Sequence, residues 1–301
     1  MGKKVLITGG TGTVGKYLSS ELANKGYDVV LLSRNPTQNS LYKIFKWDVE
    51  KQEIDPACID GVDTIIHLAG AGIADQRWTD ERKQVLIKSR TDSISLIYQL
   101  LKEKKHQVKS VVSASAAGYY SNRGDELMFE ESEPAHDFLG HCCIEWEKAV
   151  DEGAQLGLRI VKFRTGVILD KGSGALQKLA QPVKYGFGAP LGSGKQWVSW
   201  IHLEDVSQMY IFGLENDYVK GAFNMSSPQP LTNAWLTKAI AKQLRKPLWL
   251  PNVPAFALKL ALGEMSAVVL GSTKMSTQKI EEIGFKFTYP TIEKALQEIY
   301  E

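Results

Sequence analysis

The opening stretch of this chain constrains its fold more than any other. Val5-Leu6-Ile7 is a short, β-rich apolar run that breaks at once into Thr8-Gly9-Gly10-Thr11-Gly12-Thr13-Val14-Gly15. A helical pattern follows from about Val14 to Lys25. Strand, glycine-rich turn and helix, in that order, form the first half of a dinucleotide-binding βαβ unit. Each glycine has its own expected task. Gly9 takes backbone angles that a side chain disfavours, Gly12 lets the backbone approach a pyrophosphate, and Gly15 lets helix and strand close up. Thr11, Thr13 and Val14 complete the loop. The free N–H groups and positive dipole end of the helix then face the phosphates. An ordinary βα turn is the plainer reading, and the position between strand and helix argues against it.

With 301 residues the chain is long for one small core, so one large α/β unit with a smaller attached lobe is expected. The formal net charge is only +2 and no basic block stands out, which does not favour nucleic acid as a partner. Cys58, Cys142 and Cys143 form no CxxC pair, so reduced thiols in a cytoplasmic protein are expected rather than a disulfide framework or a metal site. No signal-peptide apolar region precedes the first strand. The apolar run Val253–Leu262 is interrupted by Lys259. It falls short of the ~20 residues that span a bilayer, so no membrane partner is expected.

The second strand, Asp28–Ser33, ends in Ser33-Arg34-Asn35-Pro36. An acidic residue here would bind a ribose 2′-hydroxyl and repel a 2′-phosphate. Ser33 and Arg34 instead offer a hydroxyl and a cation that can clamp phosphate, which favours NADP(H) over NAD. The alternative is that Arg34 is a solvated loop residue. Ile44–Trp47 reads as a third strand. Asp48 after it could accept from an adenine amino group or cap the next turn. Asp63–Leu68 is an apolar run suited to a buried parallel strand. The small residues Ala69, Gly70 and Ala71, with Leu68, leave room for a cofactor at its end. Thr79–Glu103 is a long helix with Val85, Leu86, Ile94, Ile97 and Leu101 on one face, and Arg90 in its middle points either to the nicotinamide end or to solvent.

Val108–Ser113, a helix over Phe138–Gln155 and a strand over Leu158–Thr165 continue the alternation, which predicts a doubly wound parallel sheet with ligands at the C-terminal strand ends. Residues 1–174 are expected to form the Rossmann domain and 175–301 a smaller, partly interleaved substrate lobe. A late strand near 221–225 is placed to return to the main sheet. The glycine-rich segment Gly172-Ser173-Gly174 falls at the boundary. The aromatic and polar run Gly192–His202 is material for a pocket wall.

The glycine loop, His67-Leu68-Ala69-Gly70, Ser113-Ala114-Ser115, Arg164-Thr165-Gly166-Val167 and Trp200–Val206 occur in an order that resembles the extended short-chain dehydrogenase/reductase superfamily, in its NAD-dependent epimerase/dehydratase branch. Ala74–Thr79, Gly118-Tyr119-Tyr120, Trp146-Glu147, Gly192–Gln196, Gly263–Ser266 and Val269–Ser272 resemble the YfcH-type epimerase-like proteins. The resemblance covers nearly the whole chain. It implies a Rossmann fold and a dinucleotide site that also takes in Ser113, Arg164 and Thr165. It also implies a small-molecule substrate, such as a nucleotide sugar or another carbonyl or hydroxyl compound, and is compatible with an oligomer.

The superfamily works with a Tyr-x-x-x-Lys pair and a preceding Ser. Tyr moves a proton at the substrate hydroxyl, and the ammonium lowers its pKa from about 10. Ser115 fits the Ser position. Anchoring on Glu147 places Leu139 at the Tyr position and Cys143 at the Lys position, and neither can do that chemistry. Tyr42/Lys46 and Tyr98/Lys102 match the spacing by chance. Tyr119, His141, Cys142 and His202 remain as alternative proton carriers. Ser115 to orient a substrate and Tyr119 to move the proton form the assignment carried forward. The lost pair also fits a protein that binds NADP(H) and signals through its smaller lobe without turnover.

Overall fold

The computed structural model describes residues 3–36, 40–172 and 174–301. Ser173, at the expected domain boundary, lies outside the described residues. The chain opens with β1 (Lys4–Thr8), α1 (Thr13–Asn24), β2 (Asp28–Ser33), β3 (Lys43–Asp48), the short β4 (Glu53–Ile54) and β5 (Val62–His67). α2 (Asp80–Glu103), β6 (Ser110–Ala116), β7 (Leu127–Met128), α3 (Phe138–Asp151) and β8 (Arg159–Thr165) follow. Thr79 and Asp137 start α2 and α3 by accepting from Arg82 N and Gly140 N, which satisfies N–H groups the helices leave unpaired. α3 tightens into a 3₁₀ turn after Asp151 and stops at Gly157, whose φ is 74°. The helix expected to run to Gln155 is therefore shorter.

The main sheet has the order β4-β3-β2-β1-β5-β6-β8-β12, where β12 is Gly221–Met225. All neighbours are parallel except β3 and β4. The order reverses between β1 and β5, which opens a crevice at the C-terminal strand ends, the usual ligand position in such sheets. β6 runs to Ala116, beyond the expected end at Ser113, because Ala114, Ser115 and Ala116 pair with Phe163, Arg164 and Thr165. Ser115 thus sits in a strand and not in the loop after it.

Apolar residues cover both faces of the sheet. Leu18 and Leu22 of α1 pack on one face with Val206, Met209 and Tyr210 of α5 (Leu203–Glu215). Ile94, Ile97 and Leu101 of α2 pack on the other with Trp146 and Val150 of α3. Val85, expected on the buried face of α2, is exposed.

Between β8 and β12 lie β9 (Val167–Leu169), α4 (Gly174–Lys184), β10 (Trp197–Val198) and β11 (Trp200–His202). After β12 come β13 (Leu231–Thr232), α6 (Asn233–Gln243), α7 (Ala255–Leu262), α8 (Ala267–Leu270), β14 (Lys274–Met275), α9 (Gln278–Glu282) and α10 (Ile292–Tyr300). A separate core forms here: Leu176 and Val183 of α4, Leu236 and Ile240 of α6 and Leu296 and Ile299 of α10 enclose Trp200.

Candidate functional site

The cradle lies where β1 turns into α1. Gly9 has φ 68°, and a Cβ on it would come within 2.9 Å of the Leu68 carbonyl group. A Cβ on Gly15 would lie 2.3 Å from Gly9 O and 2.6 Å from Gly10 Cα. Both glycines are required by backbone packing inside the loop. Gly12 differs. Among the described residues, its chain neighbours aside, Gly9 O at 3.4 Å is the only atom its Cβ would meet within 4 Å, so this side of the loop is open. Gly12 is also the N-cap of α1, with no side chain capping the helix and no acidic residue in its first turn. The open helix terminus and the missing Cβ leave room and positive potential for a phosphate. The residues present therefore fit a dinucleotide pyrophosphate.

Sequence reasoning passed over Thr8. It is fully buried, and its Oγ1 accepts from Leu68 N at 3.1 Å and Ala69 N at 3.0 Å. This joins the ends of β1 and β5 across the crevice. A threonine before a glycine loop was the available signal, but its partners lie some sixty residues away in sequence.

At the β2 end, Ser33 Oγ accepts from Asn35 N at 3.2 Å. Arg34 is exposed and has no hydrogen bond or ion pair among the described residues. Asp48, at the end of β3, uses Oδ1 to accept from Glu50 N and Lys51 N, at 3.1 and 3.2 Å. Of its two expected roles, this is the turn cap.

Behind the loop after β5, His67 is fully buried between Ser113 Oγ, 3.2 Å from Nδ1, and Ser93 Oγ, 2.8 Å from Nε2. Burial, and then the Arg90 charge, push its pKa down to about 3, so it is neutral. Ser113 thus faces His67. Ala71 N donates to Ser89 Oγ at 3.0 Å. Arg90 lies under this loop. It donates to Leu86 O at 2.7 Å and Ala71 O at 3.0 Å, and its guanidinium sits 5.0 Å from the Trp146 ring centre. A Cβ on Gly70 would press on it at 3.2 Å. Arg90 is thus half-buried against the loop after β5, not solvated.

At the reactive end, Leu139 and Cys143 face Gly118, 3.4 and 3.5 Å from where its Cβ would be. They stand beside the turn that follows β6, where alignment on Glu147 put the missing pair. Burial pushes the Cys143 thiol far above its ordinary range, so it is neither a cation nor a ready nucleophile. Cys142 is also raised by burial, and His141 is exposed on the outer side of α3.

Ser115 is buried and donates to Glu147 Oε1 at 2.7 Å. Glu147 is two turns along α3 from Leu139, roughly 12 Å of helix rise. Glu147 also receives a fork from Arg164, Nε to Oε1 at 2.8 Å and Nη2 to Oε2 at 3.0 Å. Arg164 Nη1 donates to Tyr120 Oη and Glu130 O, and Tyr120 Oη passes to Asn224 Oδ1 at 2.8 Å. Burial alone would raise the Glu147 pKa. The Arg164 fork, helped by Lys162 and Ser115, overrides burial and holds the carboxyl below its usual range. Tyr119 stacks on this network with its ring centre 3.4 Å from Arg164 Cζ. Its hydroxyl has no hydrogen-bond partner among the described residues. Thr165 Oγ1 donates to Phe163 O at 3.1 Å. The structure brings Ser115, Tyr119 and Arg164 together and leaves Ser113 and Arg90 in a second group around His67 and Trp146.

His202 is not a pocket wall. It caps α5 by accepting from Glu204 N at 3.2 Å, and its Nε2 pairs with Glu298 at 2.8 Å. Tyr98 is buried and donates to Val150 O at 2.7 Å, so its Tyr-x-x-x-Lys match plays no part in the site. Among the described residues no group of His, Cys, Asp and Glu could hold a metal ion, and no helix is long and apolar enough to cross a membrane.

A model of the NAD dependent epimerase/dehydratase family matches residues 5–141, and a domain of unknown function, DUF1731, matches residues 253–299. Epimerase family protein SAR0825 of Staphylococcus aureus is 36% identical over 303 residues, covering 99% of each chain. Epimerase family protein YfhF of Bacillus subtilis is 35% identical, over 98% of this chain and 97% of its own. Human epimerase family protein SDR39U1 (isoform 2), solved with NADPH, superposes with a TM-score of 0.88 at 28% identity over 99% of both chains. With its Rossmann sheet, its open glycine cradle and these full-length relatives, the chain belongs to the NAD-dependent epimerase/dehydratase family.

Proposed function

We propose that this protein binds NADP(H) across the Gly9–Gly15 cradle, with Ser33 and Arg34 at the 2′-phosphate, and acts as an atypical epimerase/dehydratase-like oxidoreductase. The observation that carries the reading is the open Gly12 face together with an exposed guanidinium at the end of β2 that has no hydrogen bond or ion pair among the described residues. NADPH in the human relative supports the same choice of dinucleotide. A bound nicotinamide would supply a hydride donor or acceptor. Tyr119 Oη, just past the end of β6 and without a hydrogen-bond partner among the described residues, gives or takes the substrate proton. Ser115 works through Glu147 and Arg164, which fix the plane of the Tyr119 ring. The substrate is a nucleotide sugar or another carbonyl or hydroxyl compound. The chain's motifs group it with the YfcH-type proteins, and three buried free thiols suit a reducing compartment such as the cytoplasm.

A second reading has its own observation. Leu139 and Cys143 line the turn after β6, Cys143 donating to Ala116 O at 3.8 Å, and the Ser115 proton is committed to Glu147. That arrangement favours a protein that holds NADP(H) and reports its redox state. Single-turnover transfer of deuteride from labelled NADPH to a panel of carbonyl compounds separates the two. Transfer that Tyr119→Phe abolishes, with NADPH affinity kept, supports the oxidoreductase. Tight NADPH binding with no transfer supports the sensor, and transfer unaffected by Tyr119→Phe removes Tyr119 from the proposal.

A further inference from the structure

Charge is distributed very unevenly along the chain. Residues 171–203 and 218–263 contain ten Lys or Arg and no Asp or Glu, so all 34 acidic residues lie elsewhere. The same segments hold a group of exposed large apolar side chains. Phe256 is 74% exposed, Leu260 80% and Trp249 66%, with Tyr185, Phe187 and Trp235 exposed as well. They sit on elements that touch one another. Trp249 Nε1 donates to Gly186 O at 3.0 Å, between Tyr185 and Phe187. Val253 N donates to Pro190 O at 2.8 Å, and Asn252 Nδ2 to Gly192 O at 3.2 Å. Lys238 stands over the Trp235 ring at 5.3 Å.

α7 is the centre of this surface. Its sequence, AFALKLAL, is apolar on nearly every side, yet none of its residues is buried. Its C-terminal end is held by polar contacts. Arg77 Nη2 donates to Leu260 O and Ala261 O, and Lys83 pairs with Glu264 at 2.6 Å. α7 is not amphipathic, but it leaves Phe256 and Leu260 at i and i+4 in water beside Lys259, an exposed apolar patch of the kind that marks a protein or membrane contact. Exposed Trp and Tyr beside Lys and Arg add the side chains favoured at the headgroup level.

We propose that this face, cationic apart from Glu264 at its edge, docks on an anionic lipid bilayer, with Trp249, Phe256 and Leu260 entering the headgroup region and the surrounding lysines and Arg245 meeting lipid phosphates. Charge selects this occupant. A second copy would bring two like-charged faces together across a twofold axis. Duplex nucleic acid would match the cations but give Phe256 and Leu260 no apolar environment. Docking of this kind needs no spanning helix.

Co-sedimentation of the full chain with phosphatidylcholine vesicles, with and without roughly one third phosphatidylglycerol, tests the proposal. The protein should pellet only with the anionic vesicles and be released by high salt. A Phe256→Ser/Leu260→Ser double variant should lower the partition at least tenfold (about 1.4 kcal/mol) while leaving the thermal midpoint unchanged, since both side chains are already exposed. Lys242→Glu/Lys246→Glu should weaken it separately. Failure to pellet with anionic vesicles would overturn the proposal, as would a partition that the double serine variant leaves unchanged. Tighter binding to duplex DNA than to vesicles would assign the face to nucleic acid, and self-association abolished by the double variant would assign it to a second copy.

Discussion

Two alanine substitutions in the glycine loop separate folding from binding. Gly15→Ala would put its methyl 2.3 Å from Gly9 O and 2.6 Å from Gly10 Cα, both backbone atoms that cannot rotate away. Overpacking of this kind costs about 1–3 kcal/mol, and α1 would have to shift away from β1. Gly12→Ala meets Gly9 O at 3.4 Å and nothing else within 4 Å, and the backbone there, φ −77° and ψ 174°, suits any residue. Alanine is a poorer N-cap than glycine, so the variant's stability should fall by about 1 kcal/mol at most. The same methyl would stand in the open face of the cradle, where a pyrophosphate needs contact with backbone N–H groups. NADPH affinity should therefore fall at least tenfold, about 1.4 kcal/mol. Denaturant unfolding without ligand and calorimetric titration with NADPH measure the two effects on the same samples. A Gly12→Ala protein that is stable and binds NADPH as tightly as the parent would refute the cradle geometry.

Four further outcomes are expected. Arg34→Asp should erase or invert a preference for NADPH over NADH of about 10- to 100-fold, the size of one charge-assisted phosphate contact, read by titration with both dinucleotides. Glu147→Leu leaves Arg164 and Lys162 buried without their shared carboxylate and should cost about 3–5 kcal/mol in urea unfolding. Asp217→Ala, which removes an exposed partner of Arg159, should cost under ~1 kcal/mol. His67 is held neutral, with its pKa lowered to about 3 from an ordinary 6.5. Below pH 6.5 the unfolded chain takes up the proton first, so this site's stability is fully present above 6.5 and lost as pH falls toward 3, by about 1.4 kcal/mol per unit. His67→Gln should flatten that part of the pH–stability curve, and an unchanged slope would mean that His67 titrates normally.

Local signals carried most of the Rossmann half. The β1 run, the glycine spacing and the helix after it are contiguous, so one window of sequence states the fold and the cradle together. β12 joins β8 because Gly221–Met225 has a strand's pattern, although its partner strand lies some sixty residues earlier. Roles that depend on long-range partners were less legible. His202 turned to Glu298 and Ser115 to Glu147. In each case the residue type allowed several partners, and tertiary packing chose among them. The same applies to Arg164. Its motif position suggested the cofactor, while the side chain spends its donors on Glu147, Tyr120 and Glu130. The substitutions at Leu139 and Cys143 were legible because helix periodicity from Glu147 fixes their facing, and Gly118 receives them both.

Calorimetric titration of the purified full chain with NADPH, NADP⁺, NADH and NAD⁺ tests the central claim most directly. Saturable binding of both phosphorylated forms at one site per chain, at least tenfold tighter than their unphosphorylated counterparts and weakened by Gly12→Ala, is the predicted result. Binding of none of the four, or tighter binding of NADH and NAD⁺, would contradict it.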